Sequence, residues 1–468
     1  MTGIIYTGGI KTTFSYNTVG QRTGLWHGNG TRTSSSYDAA GQTTQIIHRK
    51  TNGTSILQLD YQYDAAGNRT VMNEDSGTAR VTWLYDAQNQ LTGENRTGTN
   101  AYRQTYTYDS AGNRTVKNVA GTRTTSSYDA ANQLTYALAA AGRTTYTFDL
   151  AGNQQLELTP AGARTTTIWN YENQPAAYQL PAGSRVTMSY NADNRRVEKQ
   201  TAATTSTKFV WEPSTDAYFA ELDNANATQK IYTFEPVQYG NLISHRVSAN
   251  SYIHADALGS TRAVTSGGNT VSDTFLYDAW GIEVARTGTT AILPFRWVGG
   301  VGYYYDTETG LVYVRARVYQ PTTARWVSVD PLILADGVNV FAYAYNNPIF
   351  YMDSSGLEGV CGNLGYPMFY ADIVAKSFIN GVPTIGTLNV PSNFNGIPWP
   401  KSIFPFDPFR DHYPGSGADA GTARLTLFLR FIKSTRLAAW FQNPTTDVKD
   451  GLYRLYTRAK MQILLLWR

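Results

Sequence analysis

From Tyr16 to Tyr190 the chain repeats one short pattern. An aromatic residue is followed by Asp or Asn, a small stretch, Gly-Asn or Asn-Gln, and then Arg, Leu or Thr. The aromatics are Tyr16, Tyr37, Tyr63, Tyr85, Tyr108, Tyr128, Phe148, Trp169 and Tyr190, at steps of 21, 26, 22, 23, 20, 20, 21 and 21 residues. The pattern predicts strands and turns. The aromatic ends a strand and packs inward. Asp or Asn opens a turn by bonding its own backbone. Gly67, Gly112 or Asn89 takes the position that needs φ > 0. Arg69-Thr70-Val71 starts the next strand. About 21 residues at about 3.3 Å each hold two short strands and two turns. One repeat is therefore one hairpin, whose apolar face needs a neighbour.

Several units alternate between two flavours. Tyr63 to Thr70 reads YDAAGNRT and Tyr108 to Thr115 reads YDSAGNRT, whereas Tyr85 to Thr92 reads YDAQNQLT and Tyr128 to Thr135 reads YDAANQLT. The aspartates are read as turn formers, not as catalytic or calcium-binding carboxylates, because they recur at a turn position. The aromatics are read as core, in preference to a carbohydrate-stacking face.

Composition agrees with a mainly β chain. Tyr (33) and Gly (41) are abundant and charged residues make up only 16%, which suits half-buried strands joined by turns. The 468 residues would suggest about three ordinary domains, but the internal repeat overrides that prior. A net charge of +4 spread over this length does not suggest nucleic-acid binding by the chain as a whole. Cys361 is the single cysteine, so no intramolecular disulfide staples the fold. Met1 to Lys11 carry no signal-peptide pattern, and the chain opens inside what reads as a repeat. It is therefore expected to be the distal part of a longer polypeptide.

The Tyr-Asp-x-x-Gly-Asn-Arg pattern resembles the YD repeat of bacterial RHS proteins, toxin-complex C components and teneurins. That resemblance implies stacked YD-repeat hairpins forming a spiralling β-sheet shell over residues 1–250. Ile253 to Gly281 is similar to the opening of the RHS repeat-associated core, with His254, Asp256-x-Leu258-Gly259-Ser260 and Tyr277-Asp278-x-Trp280-Gly281. The match continues through Tyr305-Asp306-x-Glu308-Thr309-Gly310-Leu311, Arg317-x-Tyr319, Arg325-Trp326-x-Ser328-x-Asp330-Pro331 and Asn346-Asn347-Pro348, closing on Asp353-Ser354-Ser355-Gly356-Leu357. The core is thus expected over 251–357.

In many members this segment cuts its own chain after the final Leu, by chemistry resembling an aspartic protease. Two carboxylates held close cannot both ionise, so one serves as acid and the other as base. The resemblance assigns these roles to Asp330 and Asp353, a supporting role to Arg317, and the scissile bond to Leu357–Glu358. The closing motif carries Ser354 where the family has proline, which removes a stiffening of the turn and is expected to slow cleavage or alter its geometry. His254 is expected to be structural. The remaining histidines, His27, His48, His245 and His412, form no ligand-spaced pair, so neither a metal nor a cofactor is expected.

After Leu357 the character changes. The repeats stop, prolines gather between Pro367 and Pro414, and the tail 358–468 holds 12 Lys and Arg against 7 Asp and Glu. Helix-like stretches run from Ala423 to Phe441 and from Asp447 to Arg468, predicting a small mixed or α-rich tail. Asp407 to His412 offers a nuclease-like cluster, weighed against an ordinary surface pair. In the family this variable tail is often a toxin. The resemblance therefore implies a secreted or cell-surface bacterial protein whose shell encloses its own C-terminal tail as cargo, with a secretion apparatus and an immunity protein as partners. The alternatives are an adhesion or carbohydrate-binding repeat protein, or a cleavage-dead shell fragment.

Overall fold

The computed structural model describes residues 3–5, 11–288, 293–332, 338–357 and 359–361. The chain divides into two compact units, 1–366 and 367–468. The expected tail helices, the Asp407 to His412 cluster and Glu358 lie outside the described residues.

One antiparallel sheet of 27 strands runs from Gly3–Ile5 to Glu283–Thr287, and each strand pairs with the next in sequence. This is the predicted run of hairpins. All nine repeat aromatics sit at a register shift, as between Ser127 and Tyr128 or Thr147 and Phe148. The bulge turns the strand into the following Asx turn. There Asp64 Oδ1 accepts the N–H groups of Ala66 and Asn68 at 2.9 Å, and Gly67 has φ 86°. Asn89 and Asn132 do the same duty at φ 62°, as Asn can in the left-handed region.

The aromatics are mostly half-buried, with Tyr16 exposed at the end of its strand. Their polar tips tie each repeat to the one before. Tyr63 donates to the Thr43 carbonyl, Tyr85 to Arg69, Tyr108 to Leu91 and Tyr128 to Arg114, at 2.6–2.8 Å. The alternating flavours also pair: Asn68, Asn113 and Asn153 each donate to the asparagine of the next turn, Asn89, Asn132 and Asn173, at 2.8 Å.

The sheet curls until distant strands meet. Arg22 binds Glu235 at 2.7 Å, Arg262 binds Glu74 at 2.6 Å, and His48 Nε2 lies 3.0 Å from the Ala255 carbonyl oxygen. Against the sheet packs a second, four-stranded sheet, Tyr304–Asp306, Leu311–Val314, Arg317–Gln320 and Arg325–Trp326. Leu59, Tyr61, Trp83 and Tyr106 of the repeats share one buried core with Trp280, Trp297, Tyr319 and Tyr343. Each such side chain contributes about 1.5–3 kcal/mol by burial. Arginines just past the turns fasten this plug. Arg69 donates to the Ile349 carbonyl, Arg114 to the Thr322 carbonyl, and Arg196 pairs with Asp306.

Candidate autoproteolytic centre

The three residues singled out for chemistry meet. Arg317 starts a strand of the small sheet, Asp330 follows Arg325–Trp326, and Asp353 follows the short strand Tyr351–Met352. One guanidinium bridges the carboxylates: Arg317 Nη1 lies 3.0 Å from Asp330 Oδ2, and Nη2 lies 2.8 Å from Asp353 Oδ2. All three side chains are buried. Trp326 lies under the guanidinium, 4.2 Å from its carbon, and holds its plane.

The two carboxylates have unequal surroundings. Asp353 Oδ1 accepts the Leu357 N–H at 3.0 Å and the Ser355 hydroxyl at 3.2 Å, in addition to Arg317 on Oδ2. Asp330 Oδ1 accepts only the Leu332 N–H, at 2.8 Å, among the described residues. Burial pushes the Asp330 carboxyl up to about 6, against the pull of Arg317 and with help from the Asp353 charge. Asp330 therefore suits the protonated role.

The segment bearing the expected cleavage site folds back over this pair. Arg317 Nε donates to the Gly356 carbonyl, and Ala316 N–H donates to the Ser355 carbonyl at 3.2 Å. Gly356 has φ +73°, and a Cβ there would lie 2.2 Å from the Val314 carbonyl oxygen, so only glycine passes. Leu357 is described and sits against Asp353 through its N–H.

Sequence reasoning gave no role to Tyr303, Tyr343, Ser355 or Arg315, which line the Asp353 turn. It also treated the histidines as unrelated. His254 is fully buried with Nε2 at 2.9 Å from Thr265 Oγ1, and the rings of His27 and His48 lie 5.2 Å and 5.0 Å from its own. Among the described residues no group of His, Cys, Asp and Glu is arranged to hold a metal.

A family model described as the teneurin YD-shell matches residues 11–349. The chain belongs to that YD-shell family. Solved structures agree on the fold: the Tc holotoxin pore of Photorhabdus luminescens matches with a TM-score of 0.61 at 20% identity, covering 77% of this chain and 20% of that one. A TcdB2–TccC3–Cdc42 complex matches with a TM-score of 0.62 at 20% identity, over 76% and 20%. Among curated proteins, the tRNA3(Ser)-specific nuclease WapA of Bacillus spizizenii is 31% identical over 34% of this chain and 7% of its own length. Double-stranded DNA deaminase toxin A of Burkholderia cenocepacia is 36% identical over 23% and 8%. This YD-shell chain thus spans less than a tenth of the length of those two relatives. No helix among its described residues is long and apolar enough to cross a membrane.

Proposed function

We propose that this YD-shell protein is an RHS-type toxin carrier that cuts its own chain after Leu357. In this reading residues 1–250 form the shell, 251–357 the cleaving core and 358–468 the variable cargo. The observation that carries the proposal is the buried Asp330–Arg317–Asp353 bridge lying against the segment that ends at Leu357. Relatives whose names mark them as toxins, and toxin assemblies among the structural neighbours, support the same direction.

The chemistry is hydrolysis. Asp353 takes a proton from a water as its oxygen bonds to the Leu357 carbonyl carbon. Asp330 gives its proton to the carbonyl oxygen. Asp353 then passes the proton it took to the Glu358 nitrogen, while Asp330 retakes one from a hydroxyl of the tetrahedral intermediate. The C–N bond breaks, and Glu358 leaves as an amine and Leu357 as a carboxylic acid that ionises in water. Arg317 keeps the two acids in register and holds the Gly356 carbonyl beside them. The released tail is then cargo inside a secreted or surface-exposed shell, with a secretion apparatus and an immunity protein as its partners.

The test is a denaturing gel of the expressed chain. The wild type is expected to give a tail fragment of roughly 12 kDa, at about 110 Da per residue. Asp330→Asn and Asp353→Asn are each expected to stay full length. A single full-length band for wild type, the same as for Asp330→Asn, removes the cleavage reading.

A further inference from the structure

The backbone of Asp353 is held by a side chain that no motif pointed to. The Tyr303 hydroxyl donates to the Asp353 carbonyl oxygen at 2.7 Å and accepts the Asp353 N–H at 3.0 Å. The Tyr343 hydroxyl stands 3.0 Å from it. A phenol has one proton and two lone pairs. With its proton given to the carbonyl, Tyr303 takes the Asp353 N–H on one lone pair and the Tyr343 proton on the other. The order of protons is thereby fixed and the hydroxyl is saturated. Both tyrosines are fully buried, and the Tyr303 ring is wedged edge-on against Trp297 at 5.8 Å.

One hydroxyl thus grips both peptide groups that flank the Asp353 Cα. With those planes held, the Asp353 side chain leaves the backbone in one direction, toward Arg317. The next residue is Ser354, which leaves free the torsion that a proline would fix. Its N–H donates to no described residue. Beyond it, the Ser354 carbonyl is taken by Arg315 Nη1. The turn is therefore held by tertiary hydrogen bonds on each side of a residue that does not stiffen itself.

We infer that Tyr303 is a positioning residue for self-cleavage, aiming the Asp353 carboxylate by clamping its two peptide groups. This rests on the cleavage reading above. Tyr303 touches no reacting atom and acts through Asp353 alone.

The experiment follows pulse-labelled full chain in cell-free translation, with cleavage rate read from the gel. Tyr303→Phe is expected to slow cleavage by about tenfold to a hundredfold, the effect of a small misplacement of a reacting group. Adding Ser354→Pro to Tyr303→Phe is expected to recover most of the rate, because proline restores the lost stiffness inside the turn. Tyr343→Phe leaves both bonds to Asp353 and is expected to cost less than about threefold. Thermal unfolding of each variant, measured in an Asp330→Asn background, separates loss of fold from loss of aim. The inference is overturned if Tyr303→Phe cleaves at the wild-type rate, if Ser354→Pro gives no recovery, or if Tyr343→Phe is as slow as Tyr303→Phe. Should Tyr303→Phe fail to fold, Ser354→Pro alone decides. A change below about threefold fits a turn that is already held, and an acceleration of about tenfold overturns the clamp. Wild-type chain that never cleaves, like Asp330→Asn, removes the cleavage reading itself. Cleavage that Asp330→Asn abolishes but Tyr303→Phe leaves intact removes only the role of Tyr303.

Discussion

Arg317 reaches Asp330 and Asp353 through different nitrogens, so the two acids share one cation without sharing the rest of their surroundings. Among the described residues Asp353 takes the Leu357 N–H and the Ser355 hydroxyl as well as Arg317, whereas Asp330 takes the Leu332 N–H and Arg317. That asymmetry gives the proposed reaction a pH signature. An acid held at about 6 is mostly ionised above neutrality and cannot deliver its proton. Cleavage is therefore expected to accelerate as the pH is lowered from about 8 to about 6, by up to about tenfold per unit. A flat rate across that range, measured on freshly translated chain, removes Asp330 from the role of acid. The linkage to folding has a definite sign. Because the folded carboxyl is raised above its usual value, its contribution to stability is full below the ordinary aspartate range and is lost as pH rises through about 6. The acid form that the reaction needs is thus also the form that the fold prefers.

The hairpins were legible because their signals are local. Asp64 and Gly67 act within one turn, and their spacing alone dictates the Asx bonds and the positive φ. The meeting of Arg317, Asp330 and Asp353 came from the family motifs, since spacing alone does not bring them together. What the repeats use to hold one another was not legible, because Asn68 and Asn89 stand 21 residues apart. Tyr303 was hidden among many tyrosines, with its partner Asp353 50 positions away. Asn113 shows the consequence for energetics. Its amide donates to Asp109 Oδ2 and Asn132 Oδ1, while its oxygen accepts Arg325 Nη1 at 2.9 Å and Asn339 Nδ2 at 2.7 Å. Asn153 makes the two equivalent donations, to Asp149 and Asn173, with no bond to the plug among those described. Asn113→Ala removes one acceptor from the buried Arg325 guanidinium and one from the Asn339 amide, whereas Asn153→Ala removes no such anchor. The first is expected to cost about 1–3 kcal/mol more than the second. Urea unfolding of both variants in the uncut Asp330→Asn background measures the difference. Equal costs would mean that the turn asparagines serve the ladder only and do not anchor the plug.

Across the whole sheet, curling brings together residues from strands far apart in the chain. His27 follows the strand Arg22–Trp26, His48 lies in Thr43–Arg49 and His254 in Asn250–Ala255, yet their rings touch. Tyr252 packs on His27 at 5.3 Å, and Arg262 adds a positive charge near His48. Burial is the main reason that these rings stay neutral. It lowers His27 to about 3, with His48 assisting, and His48 to about 4, with Arg262 assisting. His254 also falls well below the ordinary value, through burial and its two neighbours. Because the folded values lie below the unfolded one, this stability is full above about 6.5 and is lost as pH falls toward 4. Each ring costs about 1.4 kcal/mol per pH unit inside that window. Glu94, raised to about 8 by burial and the Asp278 charge, and Asp330 act in the opposite sense over part of the same range. The wild-type curve therefore mixes both signs, and a single-ring deletion isolates one of them. His27→Phe keeps a ring in the packing and removes one titrating group. The stability difference between about pH 7.5 and pH 5 is expected to shift by about 2 kcal/mol in favour of the acid side. Urea unfolding at the two pH values, again on uncut chain, reads it directly. An unchanged difference would mean that His27 is already solvated or protonated in the folded sheet, and that the contact between early and late strands is not sealed at this point.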